Sequence, residues 1–138
     1  MPVILHEPER RPKTTAITDE ETGAMLRAFF NLADRWALSD REARILMGQP
    51  AARTFARWKS GAADLSRVPH DTRQRLSMLM GIHKGLRLLF PENPELRYSW
   101  VTRRNQVLEG RTPLEVMLED GLVGLARIAR LVDFQRGQ

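Results

Sequence analysis

Apolar residues recur at three- and four-residue intervals along most of this chain, and no segment shows the two-residue alternation of a half-buried strand. Met25, Phe29, Leu32, Ala33 and Trp36 fall on one helical face. Thr18 followed by Glu21 is a capping-box pattern, so the first helix is expected to begin at Thr18, with Gly23 an early weak point. Ser39 and Glu42 repeat the pattern before a second helix whose apolar face is Ala43, Leu46 and Met47. Gly48 can take the left-handed conformation that ends a helix. Pro50 suits the first turn of the next one, where its missing N–H has no partner to lose. That third helix is predicted over about 50–59 and stops at Ser60-Gly61. Its spacing turns Ala51, Phe55 and Trp58 inward and leaves Gln49, Arg53, Thr54 and Arg57 outward.

A polar loop then leads to a long helix over about 71–90, with Leu76, Leu79, Met80, His83, Leu86 and Phe90 along one stripe. Pro91 and Pro94 end it. A short helix is expected from Pro94 to about Thr102, and a turn or short helix from Arg104 to Leu108, closed by Gly110. Thr112-Pro113-Leu114-Glu115 is a strong helix start, combining a cap, a first-turn proline and a glutamate at the third position. Leu114, Met117, Leu118, Leu122, Leu125, Ile128, Ala129 and Val132 carry helical spacing almost to the end, with Gly121 dividing the stretch. The fold class is therefore all-α with no sheet. It is read as a tail over 1–17, a helix-turn-helix bundle over 18–90 and a small helical domain over 91–138.

Charge sharpens this division. The net charge is +5. Residues 41–90 hold ten Lys/Arg against three acids, whereas 91–138 hold seven of each. A central basic block suggests a face aimed at a polyanion, although a solvated arginine-rich surface has the same composition. Cysteine is absent, so there are no disulfides and no thiolate metal ligands. His6, His70 and His83 lie far apart, without metal-ligand spacing; His83 is read as a packed residue and His70 as a helix cap. No serine sits in a nucleophile-elbow context. Asp19-Glu20-Glu21 is explained by the dipole at a helix start. Neither a cofactor nor catalysis is called for. No apolar run reaches the roughly 20 residues of a membrane span, and the N-terminal MPVILHEPERRPK does not read as a secretory leader. The expectation is a cytoplasmic protein that is not an enzyme.

Ser39 to Gly61 has the layout of a helix-turn-helix whose second helix enters the major groove of DNA. Arg53, Thr54 and Arg57 are the candidates for reading bases, since an arginine can donate two hydrogen bonds to guanine. Gln49 can reach a phosphate or an adenine. Arg44 and Lys59 are assigned to phosphate, where contacts add affinity without reading sequence. Phe55 and Trp58 match a core face and are read as core rather than as stacking platforms, as are Trp36 and Trp100.

The last third carries a family likeness. Trp100, Asn105, Gly110-Arg111-Thr112-Pro113-Leu114-Glu115 and Gly121, followed by an apolar helix, resemble the toxin-binding C-terminal domain of the Xre/MbcA/ParS-type antitoxins. The preceding part resembles the Xre-like helix-turn-helix found ahead of that domain. Where the family often shows Pro-Asn, this chain has Arg104-Asn105. The resemblance implies an antitoxin that occludes the active site of a RES-domain, NAD-consuming toxin, binds its operator DNA, represses its own operon and commonly forms a homodimer. Toxin contact then falls on Arg103, Arg104, Asn105, Arg127, Arg130, Phe134, Arg136, Gly137 and Gln138, since guanidinium groups suit a pocket that accepts phosphates. Trp100 and Thr112 are read as shaping the fold, a role that also accounts for Asn105. The alternative is a dimeric helix-turn-helix regulator without a toxin partner.

Overall fold

The structure, a computed structural model, describes residues 16–137. Those residues form seven α-helices and no strand: α1 Asp19–Arg35, α2 Asp40–Leu46, α3 Ala52–Ser60, α4 His70–Leu89, α5 Pro94–Ser99, α6 Pro113–Glu119 and α7 Gly121–Arg136. Single 3-10 turns cover Leu65–Arg67, Trp100–Thr102 and Gln106–Leu108. The all-α reading therefore holds, and the predicted division of the last long stretch falls at Gly121, whose φ is +61°.

The caps behave as local chemistry demands. Ser39 Oγ accepts the Glu42 N–H at 3.1 Å, and the Glu42 carboxylate accepts the Ser39 N–H at 2.9 Å. The box at Thr18 is only half formed: Thr18 Oγ1 accepts the Glu21 N–H, but the Glu21 carboxylate takes the Thr18 hydroxyl. Thr112 Oγ1 accepts the Glu115 N–H at 3.0 Å, with Pro113 opening α6 as its missing N–H allows. His70 is the first residue of α4 rather than its cap; Pro69 holds that position without a side-chain bond.

One hydrophobic core runs through the molecule, and α4 is its spine. One side of α4 packs on α1, and another packs on α7. The expected stripe on α4 is too narrow. Leu76, Leu79 and Leu86 are buried as expected, but Ile82 and Gly85 are buried too, whereas Met80, His83 and Phe90 are half-buried. At Gly85 the two helices come into close contact, since a Cβ there would strike the Val132 side chain. Ile82, Leu86, Leu125, Ile128 and Val132 close the seam, each at 1% exposure or less. Burying a side chain of this kind contributes about 1.5–3 kcal/mol, so this seam is a major source of stability. The α6–α7 corner is equally tight: a Cβ on Gly124 would collide with the Val116 carbonyl oxygen.

Arg73 stitches the start of α1 to the loop before α4. Its guanidinium donates to the carbonyls of Ile17, Leu65 and Val68 and to the Asp19 carboxylate at 2.9 Å. The Arg73 side chain is mostly buried, and it supplies donors to carbonyls that lie outside the α-helices.

Glycine substitutions separate packing from propensity. Gly81 faces open space, so Gly81→Ala is expected to raise stability by about 0.5–1 kcal/mol through helix propensity. Gly124→Ala meets backbone that cannot yield, and is expected to cost about 1–3 kcal/mol. Thermal melts should move in opposite directions. His83 offers a pH test. Burial holds its imidazole below the ordinary histidine value, and the Arg87 and Arg97 charges push the same way. The unfolded chain takes up that proton first, so stability should fall as pH drops from about 6.5 through the lower folded value. Melting scans from pH 7.5 to 5 should show a slope that His83→Leu reduces.

Candidate functional site

The turn between α2 and α3 is built by two consecutive residues of positive φ, Gly48 at +94° and Gln49 at +61°. This swings Pro50 outside the helix. The third helix starts at Ala52, with Ala51 in extended conformation at the cap, rather than at Pro50 as the sequence suggests. The physical reason is visible at the Pro50 carbonyl. It accepts Nε and Nη2 of Arg44 at 3.1 and 3.0 Å, a two-pronged clamp from α2. Arg44 thus braces the turn and is itself half-buried. Lys59 is likewise engaged: its ammonium bonds the Asp40 carboxylate at 2.8 Å. That bond, with the Asp40 charge, raises the Lys59 pKa above the ordinary lysine value.

α4 also supports the turn. The buried Thr72 hydroxyl donates to the Met47 carbonyl at 3.0 Å. Asp71, paired with Arg75 at 2.8 Å, lies so close to Gly48 that a Cβ there would meet its carboxylate. Neither residue is marked by any sequence motif. A threonine buried near a helix start is the one signal that could have raised the question.

On α3 only Phe55 and Trp58 are buried. Phe55 packs edge-on against Phe30 of α1 at 5.5 Å, which fixes the helix to the bundle. Ala51, expected to point inward, is exposed. Arg53 and Arg57 are exposed one turn apart, with no carboxylate in salt-bridge range among the described residues. Ala56 beside them is small and exposed, Gln49 is exposed, and Thr54 is half-buried. The first turn of α3 holds no acid and no side-chain cap, so its backbone N–H groups remain available to an anion.

In the last third, Arg127, Arg130 and Phe134 share one face of α7 with Val123, which sequence reasoning missed. Val123 and Phe134 are 73% and 67% exposed, a high figure for apolar side chains aligned on one helical stripe. The spacing that singles out the buried face of α7 hides this second stripe, because Val123 sits in the apolar run Leu122-Val123-Gly124-Leu125 while Arg127 and Arg130 interrupt its own face. Arg103 donates to Ser99 Oγ at 3.0 Å, and Arg104 is exposed. Asn105 organises its loop: its side chain accepts the Val107 N–H, its N–H donates to the Arg111 carbonyl, and its carbonyl accepts from Gly110. Arg136 pairs with Asp133 at 3.3 Å, and its aliphatic stem lies against Gly85. Gly137 caps α7, and Gln138 lies outside the described residues. Trp100 is buried, as expected of a fold-shaping residue.

Among the described residues no group of histidines and carboxylates is arranged to hold a metal, and no helix is long and apolar enough to cross a membrane. Residues 15–81 match the antitoxin Xre-like helix-turn-helix domain, and residues 85–137 match the antitoxin Xre/MbcA/ParS C-terminal toxin-binding domain. The chain is similar to the uncharacterized protein y4oB of Sinorhizobium fredii (strain NBRC 101917 / NGR234), with 40% identity over 114 residues, 83% of this chain and 85% of that protein. No solved structure matches.

Bracing and reading roles separate experimentally. Arg44→Ala strands the Pro50 carbonyl and should cost about 1–2 kcal/mol of stability. Arg53→Ala and Arg57→Ala should change it by no more than about 0.5 kcal/mol, as free surface residues do. Urea denaturation of the three variants measures the difference.

Proposed function

This chain belongs to the antitoxins that join a Xre-like helix-turn-helix to an Xre/MbcA/ParS C-terminal toxin-binding domain, and on that premise we propose that it neutralises a RES-domain, NAD-consuming toxin and represses its own operon. The observation that carries the neutralising half is the exposed stripe of Val123, Arg127, Arg130 and Phe134 on α7, within the matched toxin-binding region. Apolar ends with guanidinium groups between them suit a protein surface that combines an apolar recess with anion-binding positions. Arg103 and Arg104, exposed in the loop after α5, are assigned to the same partner through their cations.

Repression is assigned to α3. Its unpaired Arg53 and Arg57, with Gln49 at the turn, form the reading face, and its uncapped first turn supplies N–H groups for a phosphate. A palindromic operator needs two such helices about 34 Å apart. A homodimer, or an assembly bridged by toxin, provides them. The setting is cytoplasmic, where both operator and toxin substrate are found.

Two arms test this. Co-expression with the product of the adjacent gene should yield a complex and restore growth, and Phe134→Ala with Arg127→Ala should weaken that complex by about 2 kcal/mol or more, roughly thirtyfold. Arg53→Ala and Arg57→Ala should each lose about 1–3 kcal/mol of operator preference while neutralising normally. If no complex forms but operator binding survives, the chain acts as a helix-turn-helix regulator without a toxin.

A further inference from the structure

One concavity among the described residues lies apart from both the proposed reading face of α3 and the stripe on α7. It is a groove of about 1080 Å³ between α1, α4 and the segment that follows α4. Four cations line it, Arg35, Lys84, Arg87 and Arg97, against a single acid, Asp34. Arg97 is committed to the wall: its guanidinium donates to the carbonyls of Phe90 and Pro91. Arg35, Lys84 and Arg87 are exposed, and no carboxylate among the described residues pairs with them. The half-buried His83 lines the same groove, and burial first, then the Arg87 and Arg97 charges, disfavour its charged form.

The chemistry of the walls narrows the occupant. The Tyr98 ring is already engaged, with His83 stacked at 5.7 Å and the Arg35 guanidinium 5.1 Å from its centre. A nucleobase would therefore compete with groups already against that ring. Leu32 and Met80 line the groove, and Leu88 stands 54% exposed beside them. Hydrated phosphates gain nothing from such a surface, whereas a peptide that mixes acids with apolar residues uses both kinds of wall. The volume slightly exceeds the roughly 300–1000 Å³ that encloses a drug-sized ligand and suits a length of chain.

We propose that this groove receives an extended acidic segment of a partner polypeptide, its carboxylates paired with Arg35, Lys84 and Arg87 and an apolar side chain laid on Leu88. Resting on the antitoxin reading, the partner is the toxin, and the groove is a second contact distinct from the α7 stripe. It is lined from both matched regions, Arg35 in the first and Arg87 in the second, so one bound segment spans the two.

The probe is a fluorescein-labelled decapeptide rich in Glu and Asp with two leucines, titrated into the full-length protein and followed by anisotropy. Saturable binding is expected, weakened at least tenfold by Lys84→Glu with Arg87→Glu, and also weakened by the charge-neutral pair Lys84→Met with Arg87→Met, at unchanged melting temperature. Arg41→Glu, exposed on α2 and outside the groove, should leave it intact. Equal loss in Arg41→Glu, or no loss in the groove variants, overturns the proposal. So does a single-stranded oligonucleotide of equal charge that competes as well as unlabelled peptide, since the site would then be one for nucleic acid. With the adjacent-gene product, capture by wild type and tenfold weaker capture by the groove variants supports the toxin as source. Capture unaffected by those variants sinks the groove as a toxin contact. Absence of any wild-type complex sinks the antitoxin reading instead, while the peptide titration still judges the groove.

Discussion

The contact of α7 with α4 at Gly85 is the constraint on which the rest of the molecule depends. Val132 approaches the α4 backbone so closely that no side chain fits between them. That approach lets Ile82, Leu86, Leu125, Ile128 and Val132 exclude water completely along the seam. Close-packed interiors tolerate few voids and transmit strain, so the position of α7 is set by α4 and not by the loops that connect them.

From that seam the two surfaces acquire their positions. α4 turns one face to α7 and another to α1, and its first turns brace the α2–α3 turn through Thr72 and the Asp71–Arg75 pair. The turn that leads into the helix presenting Arg53 and Arg57, and the helix that presents Arg127 and Phe134, therefore both rest on α4, while α1 holds α3 itself. Held by a clamp at Pro50, an aromatic contact at Phe30 and a buried hydroxyl bond at Met47, α3 would lose little entropy in the operator contact proposed for it. The proposed groove lies between α1, α4 and the segment after α4, so α4 forms one of its walls.

Much of this was legible along the chain. Capping residues act within four positions of themselves, so Ser39, Thr112 and the glycine turn at Gly48 could be read directly. The inward faces of α1 and α3 followed from period alone, with Phe29, Leu32, Phe55 and Trp58 buried. Errors arose where a distant partner decided the outcome. Pro50 left the helix because Arg44 claimed its carbonyl. Ile82 and Gly85 were passed over because the stripe on α4 was read as facing one neighbour when it faces two.

Sequence alone determined the helices, their caps, the all-α class and the concentration of positive charge in the middle of the chain, because these depend on neighbours a few residues apart and on composition. Tertiary structure decided which cations are free. Arg44, Arg73, Arg97 and Arg111 are spent on carbonyls or on carboxylates, whereas Arg53, Arg57, Lys84 and Arg87 pair with no carboxylate among the described residues. All eight read alike in a one-dimensional string. A guanidinium reaches several ångströms from its own backbone, and only the folded chain determines which acceptor waits there.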